Sequence, residues 1–332
     1  MIMQFNNGTA YLGDSLKVVK SLESDSVDCV ITSPPYYQLR DYGFDGQWGL
    51  EPDYKDYLDK MIELMRELKR VLKPTGTMWI NLGDSYNNSA KAGTKLFGNE
   101  EFNRNRPSRR LTKTPDKLKQ PMPSKSLMLI PHRFAMRCVD ELGLILRNTV
   151  IWGKPNGMPE SVTDRFTKKH EYIFFFTKNE KYYFDLDAVR EKHKDDYEAF
   201  IKKLPKSHDN KTINEGGNGI IKYRDSIITN YHRGKNPGDV ADFWEITTKP
   251  SSKSHYATYN SELIIKPLLA GSPLGGFVLD PFGGTGTTAF TAMRYERKFI
   301  YIDANKDYFD AFTKEMNLED SQMRLEFGEV IE

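Results

Sequence analysis

The chain alternates between short apolar runs and longer stretches in which apolar residues recur every three or four positions. Runs of this short kind, rich in β-branched and aromatic residues, predict buried strands, and the longer spacing predicts helices. The predicted strands are Ala10–Leu12, Val27–Ile31, Thr77–Leu82, Ile145–Trp152, Glu171–Thr177, Gly276–Asp280 and Lys298–Asp303. The predicted helices are Leu16–Leu22, Tyr54–Leu72, Ile130–Val139, a helix that begins at Asn260 or Ser261, and Thr288–Arg294.

The stretch from Val27 to Leu82 sets the expected fold class. A buried strand is followed by the clearest helical pattern in the chain, a Lys-Pro-Thr-Gly stop at 73–76 and a second strand. This order is a βαβ unit, whose two strands run parallel. We therefore predict an α/β protein with a mainly parallel sheet.

Two regions break this pattern and divide the chain. A length of 332 residues is near the upper limit for one core, so we expect one large domain with insertions. The predicted division is a first part of the domain at 1–85, a basic insertion at 86–125, a continuation at 126–180, an irregular region at 181–254, and a final part at 255–332.

Positive charge is concentrated in the first insertion. The whole chain carries a net charge of only +2, but residues 86–125 hold ten Lys or Arg against three acids. A basic segment without apolar periodicity is suited to phosphate contacts, and a solvated insertion is the alternative. The candidate nucleic-acid contacts are Arg104, Arg106, Arg109 and Arg110, together with Lys222, Arg224 and Arg233 in the second irregular region.

Cysteine content and hydropathy exclude several classes of protein. Two cysteines, Cys29 and Cys138, cannot form a disulfide scaffold and are predicted to pack in the core. No apolar run approaches the length of about 18 residues that a membrane span needs, and the N-terminus does not resemble a signal peptide. We expect a soluble protein of the cytoplasm, associated with the nucleoid in a prokaryotic cell, with no membrane partner.

A rigid loop follows the apolar run that ends at Ile31. Thr32 and Ser33 lead into two prolines, which restrict the backbone and donate no hydrogen bond. The Ser33 and Pro34 carbonyls are expected to accept hydrogen bonds from a ligand, and Tyr36 offers a ring on which a nucleobase can stack. Fixed acceptors of this kind suit an exocyclic amine, whose lone pair they would direct at an electrophile. The alternative is a loop that only ends a strand.

A glycine-rich turn follows the predicted strand that ends at Asp280. Its glycines allow a ligand to approach the backbone, although nicotinamide- and flavin-binding proteins use such turns too. Asp280 places a carboxylate where a ligand ammonium could bind, and Phe282 offers an apolar wall. Asp303 ends the next strand and either binds ribose hydroxyls or caps the last helix. Asp14, after the first strand, is likewise either a ligand contact or a helix cap.

The two loops resemble the signature motifs of one enzyme family. Thr32-Ser33-Pro34-Pro35-Tyr36 is similar to the catalytic motif of the amino-group DNA methyltransferases, and Asp280-Pro281-Phe282-Gly283-Gly284-Thr285-Gly286-Thr287 is similar to their S-adenosylmethionine loop. The order of catalytic loop, recognition region and cofactor loop is that of the beta class of the family. The resemblance therefore implies that 1–85 and 126–180 are parts of the catalytic domain, that 181–254 is the target-recognition region, and that 255–332 is the cofactor-binding part. Trp152–Asn156 and His170–Tyr172 resemble a late motif of the same enzymes, although His170 is predicted to be structural. The resemblance covers about 14–312 and implies a Rossmann-like fold with helices on both faces of the sheet.

The resemblance also implies an activity and a set of residues. It implies methyl transfer from S-adenosylmethionine to the exocyclic amine of a base flipped out of double-stranded DNA, without a metal. The implied catalytic residues are Ser33, Pro34, Pro35 and Tyr36. The implied cofactor residues are Asp14, Thr32, Asp280, Pro281, Phe282, Gly284, Gly286, Thr287 and Asp303. Ser33 is more typical of enzymes that act on cytosine N4, because adenine-N6 enzymes usually have Asp or Asn there. A restriction endonuclease acting on the same site is an expected partner.

Several alternatives stay open at this point. Adenine-N6 methylation by the same fold is the nearest, and an RNA or protein-amide substrate is another. A nicotinamide-dependent oxidoreductase would explain the glycine loop but gives the Ser-Pro-Pro-Tyr segment no role. A non-catalytic nucleic-acid-binding module would explain the basic insertion but not two ligand loops. The methyltransferase hypothesis requires the two loops to lie side by side along one edge of the sheet.

Overall fold

A computed structural model describes residues 1–87, 120–190, 242–248 and 260–328, except for the side chains of 320–328. The strands in these ranges are β1 (Ile2–Phe5), β2 (Gly8–Leu12), β3 (Val27–Thr32), β4 (Leu72–Leu82), β5 (Ile145–Gly153), β6 (His170–Thr177), β7 (Phe243–Glu245), β8 (Phe277–Asp280) and β9 (Lys298–Asp303). The α-helices are α1 (Ser15–Ser21), α2 (Tyr54–Val71), α3 (Ile130–Asp140), α4 (Ser261–Gly271), α5 (Thr287–Arg294) and α6 (Lys306–Gly328), and a 3₁₀ turn spans Asp187–Val189.

All of these strands join one sheet in the order β1-β2-β9-β8-β3-β4-β6-β5-β7. The five central strands from β2 to β4 in this order are parallel to one another. β6 runs antiparallel to both of its neighbours, and β1 is an antiparallel edge strand. The predicted α/β class with a mainly parallel sheet is confirmed.

Strand β3 shows how the sheet is covered on both faces. Val30 packs into a core that includes Leu68 of α2, whereas Cys29 and Ile31 pack into a second core that includes Leu268 of α4. Successive residues of a strand point to opposite faces, so six consecutive buried positions require cover on both sides. Helices α1, α2 and α3 supply one layer, and α4, α5 and α6 supply the other.

The junction between α2 and β4 differs from the prediction. The helix ends at Val71, and β4 begins at Leu72 rather than at Thr77. The pairing with β3 shifts register between Val27 and Cys29, so the segment with Pro74 and Gly76 forms an irregular start of the strand. A proline fits such an irregularity because it has no N–H to donate to the ladder.

Two strands were not predicted, and both lie at edges of the sheet. β1 has only four residues with no buried position, and β7 has three residues within an aperiodic region. Cys29 and Cys138 are buried and unpaired with each other, as predicted, and burial raises the pKa of both thiols. Within the described ranges, no helix is long and apolar enough to cross a bilayer.

Candidate active site

The two loops singled out from the sequence meet at one edge of the sheet. β3 and β8 are parallel neighbours, so their carboxyl ends lie side by side. Thr32 Oγ1 at the end of β3 donates a hydrogen bond to Asp280 Oδ1 at the end of β8, at 2.6 Å. Ser15 Oγ donates to the Pro281 carbonyl at 2.5 Å, which attaches α1 to the same edge. The two loops therefore lie side by side along one edge of the sheet, as the methyltransferase hypothesis requires, and this prediction is confirmed.

A cavity of about 490 Å³ opens between the loops. A volume of a few hundred cubic ångströms is that of a small-molecule or cofactor site. Its lining combines both predicted loops with side chains from other elements. The predicted residues that line it are Ser33, Pro34, Pro35, Tyr36, Asp280, Phe282, Gly284, Thr287 and Asp303.

On the cofactor side, two glycines determine the shape of the turn that follows β8. Gly284 and Gly286 adopt positive φ angles of 53° and 82°, which favour glycine. A Cβ on Gly286 would lie 2.2 Å from the Phe312 ring, whereas one on Gly284 would meet nothing closer than 4.0 Å. Gly284 lines the cavity, so its backbone is open to a ligand there. Gly286 instead fixes the turn against the core.

The two acids on this side are shielded from solvent and held by their neighbours. Asp280 accepts hydrogen bonds from the hydroxyls of Thr32 and Thr288 and from the Phe282 N–H. Burial raises the pKa of Asp280, and these three hydrogen bonds oppose the increase. Asp303 accepts from the Gly284 N–H at 2.8 Å and the Asn305 N–H at 2.7 Å, and burial raises its pKa to about 6.

These features fit a nucleoside that carries an amino-acid group. A carboxylate at the end of β9 is placed as in α/β proteins that bind ribose hydroxyls, and the open backbone at Gly284 permits close approach. Asp280 would hold an ammonium group, with Phe282 as an apolar wall beside it. Both acids retain carboxylate lone pairs that their present hydrogen bonds do not use.

Asp14 occupies a different position from the other predicted cofactor residues. Its Oδ1 caps α1 by accepting from the Lys17 N–H, and its Oδ2 accepts from Trp48 Nε1 at 3.1 Å. It is not among the residues that line the cavity. The Trp48 ring packs edge-on against Phe282 at 5.2 Å, which places Asp14 behind the cavity wall. A direct contact with the cofactor stays a prediction.

On the other side of the cavity, Tyr36 is held by several contacts. Its hydroxyl donates to Glu171 Oε2 at 2.6 Å and lies 2.9 Å from Asn81 Oδ1. A Cβ on Gly83 would lie 2.6 Å from a carbon of the Tyr36 ring, so only glycine leaves room for the ring there. The Pro35 carbonyl accepts from the Tyr57 hydroxyl at 2.9 Å, which anchors the loop to α2.

Glu171 and Lys154 complete this side, and the sequence analysis gave neither of them a role. Their side chains form a short ion pair, largely shielded from solvent, and the Lys154 ammonium lies 4.1 Å from the centre of the Trp152 ring. All three line the cavity. β6 is antiparallel to β4, so its amino end and the carboxyl end of β5 reach the same edge as the ligand loops. The sequence feature that could have identified these two residues is an acid at the start of β6 and a basic residue directly after β5.

Other predicted residues fall elsewhere. Arg104, Arg106, Arg109, Arg110, Lys222, Arg224 and Arg233 lie outside the described residues. His170 does not line the cavity; its ring nitrogen lies 3.1 Å from the Tyr172 hydroxyl, and burial lowers its pKa. The described part of the chain contains no group of three or more His, Cys, Asp or Glu side chains arranged to hold a metal ion.

Comparisons with known proteins agree with this geometry. The chain is 35% identical over 321 residues to the type II methyltransferase M.Cfr9I of Citrobacter freundii, covering 97% of this chain and 91% of that one. It is 36% identical over 297 residues to M.SmaI of Serratia marcescens, covering 90% and 86%.

Solved structures share the fold. The cytosine-N4-specific PvuII DNA methyltransferase superposes with a TM-score of 0.60 at 18% identity, covering 93% of this chain and 86% of that one. A Thermus thermophilus protein assigned as a DNA modification methylase, solved with S-adenosyl-L-methionine, gives a TM-score of 0.54 at 23% identity, covering 94% and 95%.

A family model described as DNA methylase, which groups N6- and N4-amino methyltransferases, matches residues 27–314. That range contains both ligand loops and the Lys154–Glu171 pair. S-adenosyl-L-methionine is the cofactor of this family. The chain belongs to the N6/N4 family of DNA methylases.

Proposed function

We propose that this protein transfers a methyl group from S-adenosyl-L-methionine to N4 of a cytosine flipped out of duplex DNA. The observation that carries the proposal is the hydrogen bond between Thr32 and Asp280, because it joins the amine-binding loop to the cofactor loop within one cavity. The two relatives reported above are type II methyltransferases, which supports duplex DNA as the substrate.

The chain contributes positioning and fixed dipoles. The cofactor would supply a methyl group on positively charged sulfur. The base amine would supply the electron pair for the N–C bond, the S–C bond would break to leave a neutral thioether, and the amine would then release one proton to water. The Ser33 and Pro34 carbonyls accept hydrogen bonds from the amine and direct its lone pair at the methyl carbon. The Tyr36 ring stacks on the base, held by Glu171 and by the space at Gly83.

The cofactor loop holds the donor in reach of the amine. Asp280 and Phe282 hold its amino-acid part, Asp303 accepts from its ribose hydroxyls, and the open backbone at Gly284 lies against it. Asp280 shares its carboxylate with Thr32. Any shift of one loop therefore moves the other, which keeps donor and acceptor at a fixed separation.

The chemistry of the base side favours cytosine over adenine. Both bases present an amine beside a ring nitrogen on their pairing edge, but cytosine adds the O2 carbonyl where adenine has only C–H. Lys154 places an ammonium donor on the cavity wall, linked through Glu171 to the Tyr36 hydroxyl. A donor facing the O2 position would meet an acceptor on cytosine but a C–H on adenine, and flipped bases are read through this edge.

Residues 86–125 and 181–254 are proposed to contact DNA through phosphates and base edges, with Arg104, Arg106, Arg109, Arg110, Lys222, Arg224 and Arg233 as candidate contacts. A restriction endonuclease that cuts the same unmodified sequence is the proposed partner of the enzyme. The M.Cfr9I and M.SmaI relatives carry type II names that support such a pairing.

The deciding experiment incubates the purified protein with labelled S-adenosyl-L-methionine and plasmid DNA. Digestion to nucleosides and mass spectrometry should reveal N4-methylcytosine, and mapping of the label should identify the recognition sequence. Tyr36→Ala purified in parallel controls for a contaminating methylase and should give little product. N6-methyladenine would replace the cytosine assignment with the adenine alternative. Label in RNA alone would overturn the DNA assignment.

A further inference from the structure

The connection between β5 and β6 exposes apolar side chains beside the cavity. Phe166 is 97% exposed and Met158 is 86% exposed, the two highest values among the large apolar side chains of the described residues. Both lie in the segment 154–169, which we call the β5–β6 loop. The loop starts at Lys154 and is followed by His170 and Glu171, and Lys154 and Glu171 line the cavity. The loop therefore projects from the rim of the site.

Phe166 is held in its exposed position. The Arg165 guanidinium stacks 3.8 Å from the centre of the Tyr86 ring, and the Lys168 ammonium donates to the Asp84 carbonyl. Asp84 and Tyr86 follow the carboxyl end of β4, the strand that contributes Asn81 to the cavity. Residues on both sides of Phe166 are therefore fixed to the same edge of the sheet, while the phenyl ring itself faces solvent.

The beginning of the β5–β6 loop is also attached to a neighbouring segment. Asn156 Nδ2 donates to the Thr248 carbonyl at 2.7 Å, and the Thr248 N–H donates back to Asn156 Oδ1 at 2.8 Å. Thr248 lines the cavity. A loop fastened at both ends loses little conformational freedom when it meets a partner, so an exposed ring on it is prepared for insertion.

The charge around the ring suits a polyanion. The β5–β6 loop contains four cationic and two acidic residues, a surplus of two positive charges. Arg165 pairs with Glu160, Lys154 with Glu171 and Asp164 with Lys125, so Lys168 and Lys169 supply this surplus. Proteins that deform duplex DNA insert Phe, Met and similar side chains between base pairs, next to cationic side chains that contact phosphates. Extrusion of a base breaks stacking and pairing, which costs a few kcal/mol unless something replaces the base.

We propose that Phe166 inserts into the duplex beside the target nucleotide and occupies the space that the flipped base leaves. The proposal rests on the proposed function, because it assigns the residue that supports base extrusion in that reaction. The ring acts on the DNA stack and not on the reacting atoms, so Phe166 is a positioning residue. Its effect should depend on how firmly the target base is held in the duplex.

The test compares Phe166→Ala with the wild type on two duplexes that contain the mapped sequence. In one the target base is paired, and in the other it lies opposite an abasic site, where extrusion costs less. The variant should lose about 10- to 100-fold in kcat/KM on the paired duplex, as expected for a few kcal/mol of lost support. It should lose less than about threefold on the abasic duplex, for the same reason. Phe166→Trp should retain activity on both.

A second readout reports extrusion directly. With 2-aminopurine at the target position, wild-type binding should raise the fluorescence, and Phe166→Ala should give a smaller increase at saturating protein. Leu274→Ala is the matched control, because Leu274 is 68% exposed and precedes β8 at the opposite edge of the sheet. Leu274→Ala should match the wild type in kcat/KM on both duplexes and in the fluorescence increase. Unchanged melting temperatures would show that all variants are folded.

The outcomes separate the two proposals. Equal losses on both duplexes, or no loss on either, would overturn the role of Phe166 while methylation by the wild type upholds the proposed function. A change in oligomeric mass without a change in methylation would assign the exposed ring to contact between copies of the chain, and would also overturn it. A wild-type protein that methylates no duplex DNA would overturn both.

Discussion

The loops that follow β3 and β8 end neighbouring strands but use opposite backbone chemistry. The loop at Ser33–Tyr36 is stiffened by two prolines, which offer carbonyl acceptors but no N–H donors, and all four of its residues line the cavity. The loop at Phe282–Gly286 contains three glycines, two of them at positive φ, and presents open backbone beside two shielded acids. The first suits a ligand with N–H donors, and the second suits a ligand whose hydroxyls and ammonium need acceptors at close range.

The difference shows how one sheet edge can hold two reactants. In the proposed function each loop binds its own ligand, and the Thr32–Asp280 hydrogen bond joins the two loops. Stiffness comes from proline in one loop and from dense packing of glycine in the other, where Gly283 and Gly286 leave no space for a Cβ. Substitutions in the two loops should therefore separate cofactor binding from turnover.

The largest effect is expected on the cofactor side. Asp280→Ala removes a buried carboxylate that holds two threonine hydroxyls and, as proposed, the ammonium group of the cofactor. Loss of one partner of a buried charged pair costs about 2–5 kcal/mol, so calorimetry should show cofactor affinity reduced by roughly 30-fold or more. Asp280→Asn keeps the shape of the side chain, and its cofactor affinity should lie between those of the wild type and Asp280→Ala. Unchanged affinity in the alanine variant would defeat the assignment of this loop.

A substitution in the Ser33–Tyr36 loop should reduce turnover but leave cofactor affinity unchanged. Tyr36→Ala removes the stacking platform, and base stacking is worth about 1–3 kcal/mol, so kcat/KM for methylation should fall by roughly 5- to 150-fold. Cofactor affinity should stay within twofold of the wild type in the same calorimetric experiment, because the Tyr36 hydroxyl is bonded to Glu171 and Asn81, on strands β6 and β4. A parallel loss of cofactor affinity would mean that the two loops do not act separately.

The parallel part of this site could be predicted from the sequence, and the antiparallel part could not. Short apolar runs that end in Ser33 and Asp280 locate the carboxyl ends of parallel strands, which always share one edge. Glu171 lies at the start of a strand, and only the reversed direction of β6 brings it to that edge. No local pattern encodes strand direction at this position. The pairing of β7 with β5 likewise joins segments about 90 residues apart.

An intermediate effect tests how the base is chosen. Lys154→Met keeps about the length of the side chain but removes the donor proposed to face cytosine O2, together with the ion pair to Glu171 and the ammonium contact with Trp152. Loss of one hydrogen bond from a charged group costs about 1.5–3 kcal/mol, so kcat/KM for cytosine should fall about 10-fold or more. Turnover of adenine placed at the same position should change much less. Lys314→Met, at an exposed position of α6, is the control. Equal losses for both bases would assign Lys154 to general positioning.

The smallest expected effect is a pH dependence of cofactor affinity, which arises on the cofactor side of the cavity. Burial raises the Asp303 pKa to about 6, so the carboxylate that would accept from the ribose hydroxyls becomes protonated just below neutral pH. If only the ionised form binds, cofactor affinity should fall about fourfold between pH 7 and 5.5. A raised pKa also means that the folded protein binds this proton more tightly than the unfolded chain. The stability contribution of Asp303 therefore increases as the pH falls through 6, so protonation of Asp303 does not weaken cofactor affinity by unfolding the protein.

Calorimetry at the two pH values can isolate this carboxyl group. Asp303→Asn should bind the cofactor more weakly at pH 7 and should lose most of the pH dependence. Asp307→Asn removes an exposed acid in the first turn of α6 and should reproduce the wild-type curve. Because Tyr36 and Ser33 lie on the other loop, Tyr36→Ala should show the same fourfold change as the wild type. A pH response that disappears in Tyr36→Ala would instead place the titrating group on the base side of the cavity.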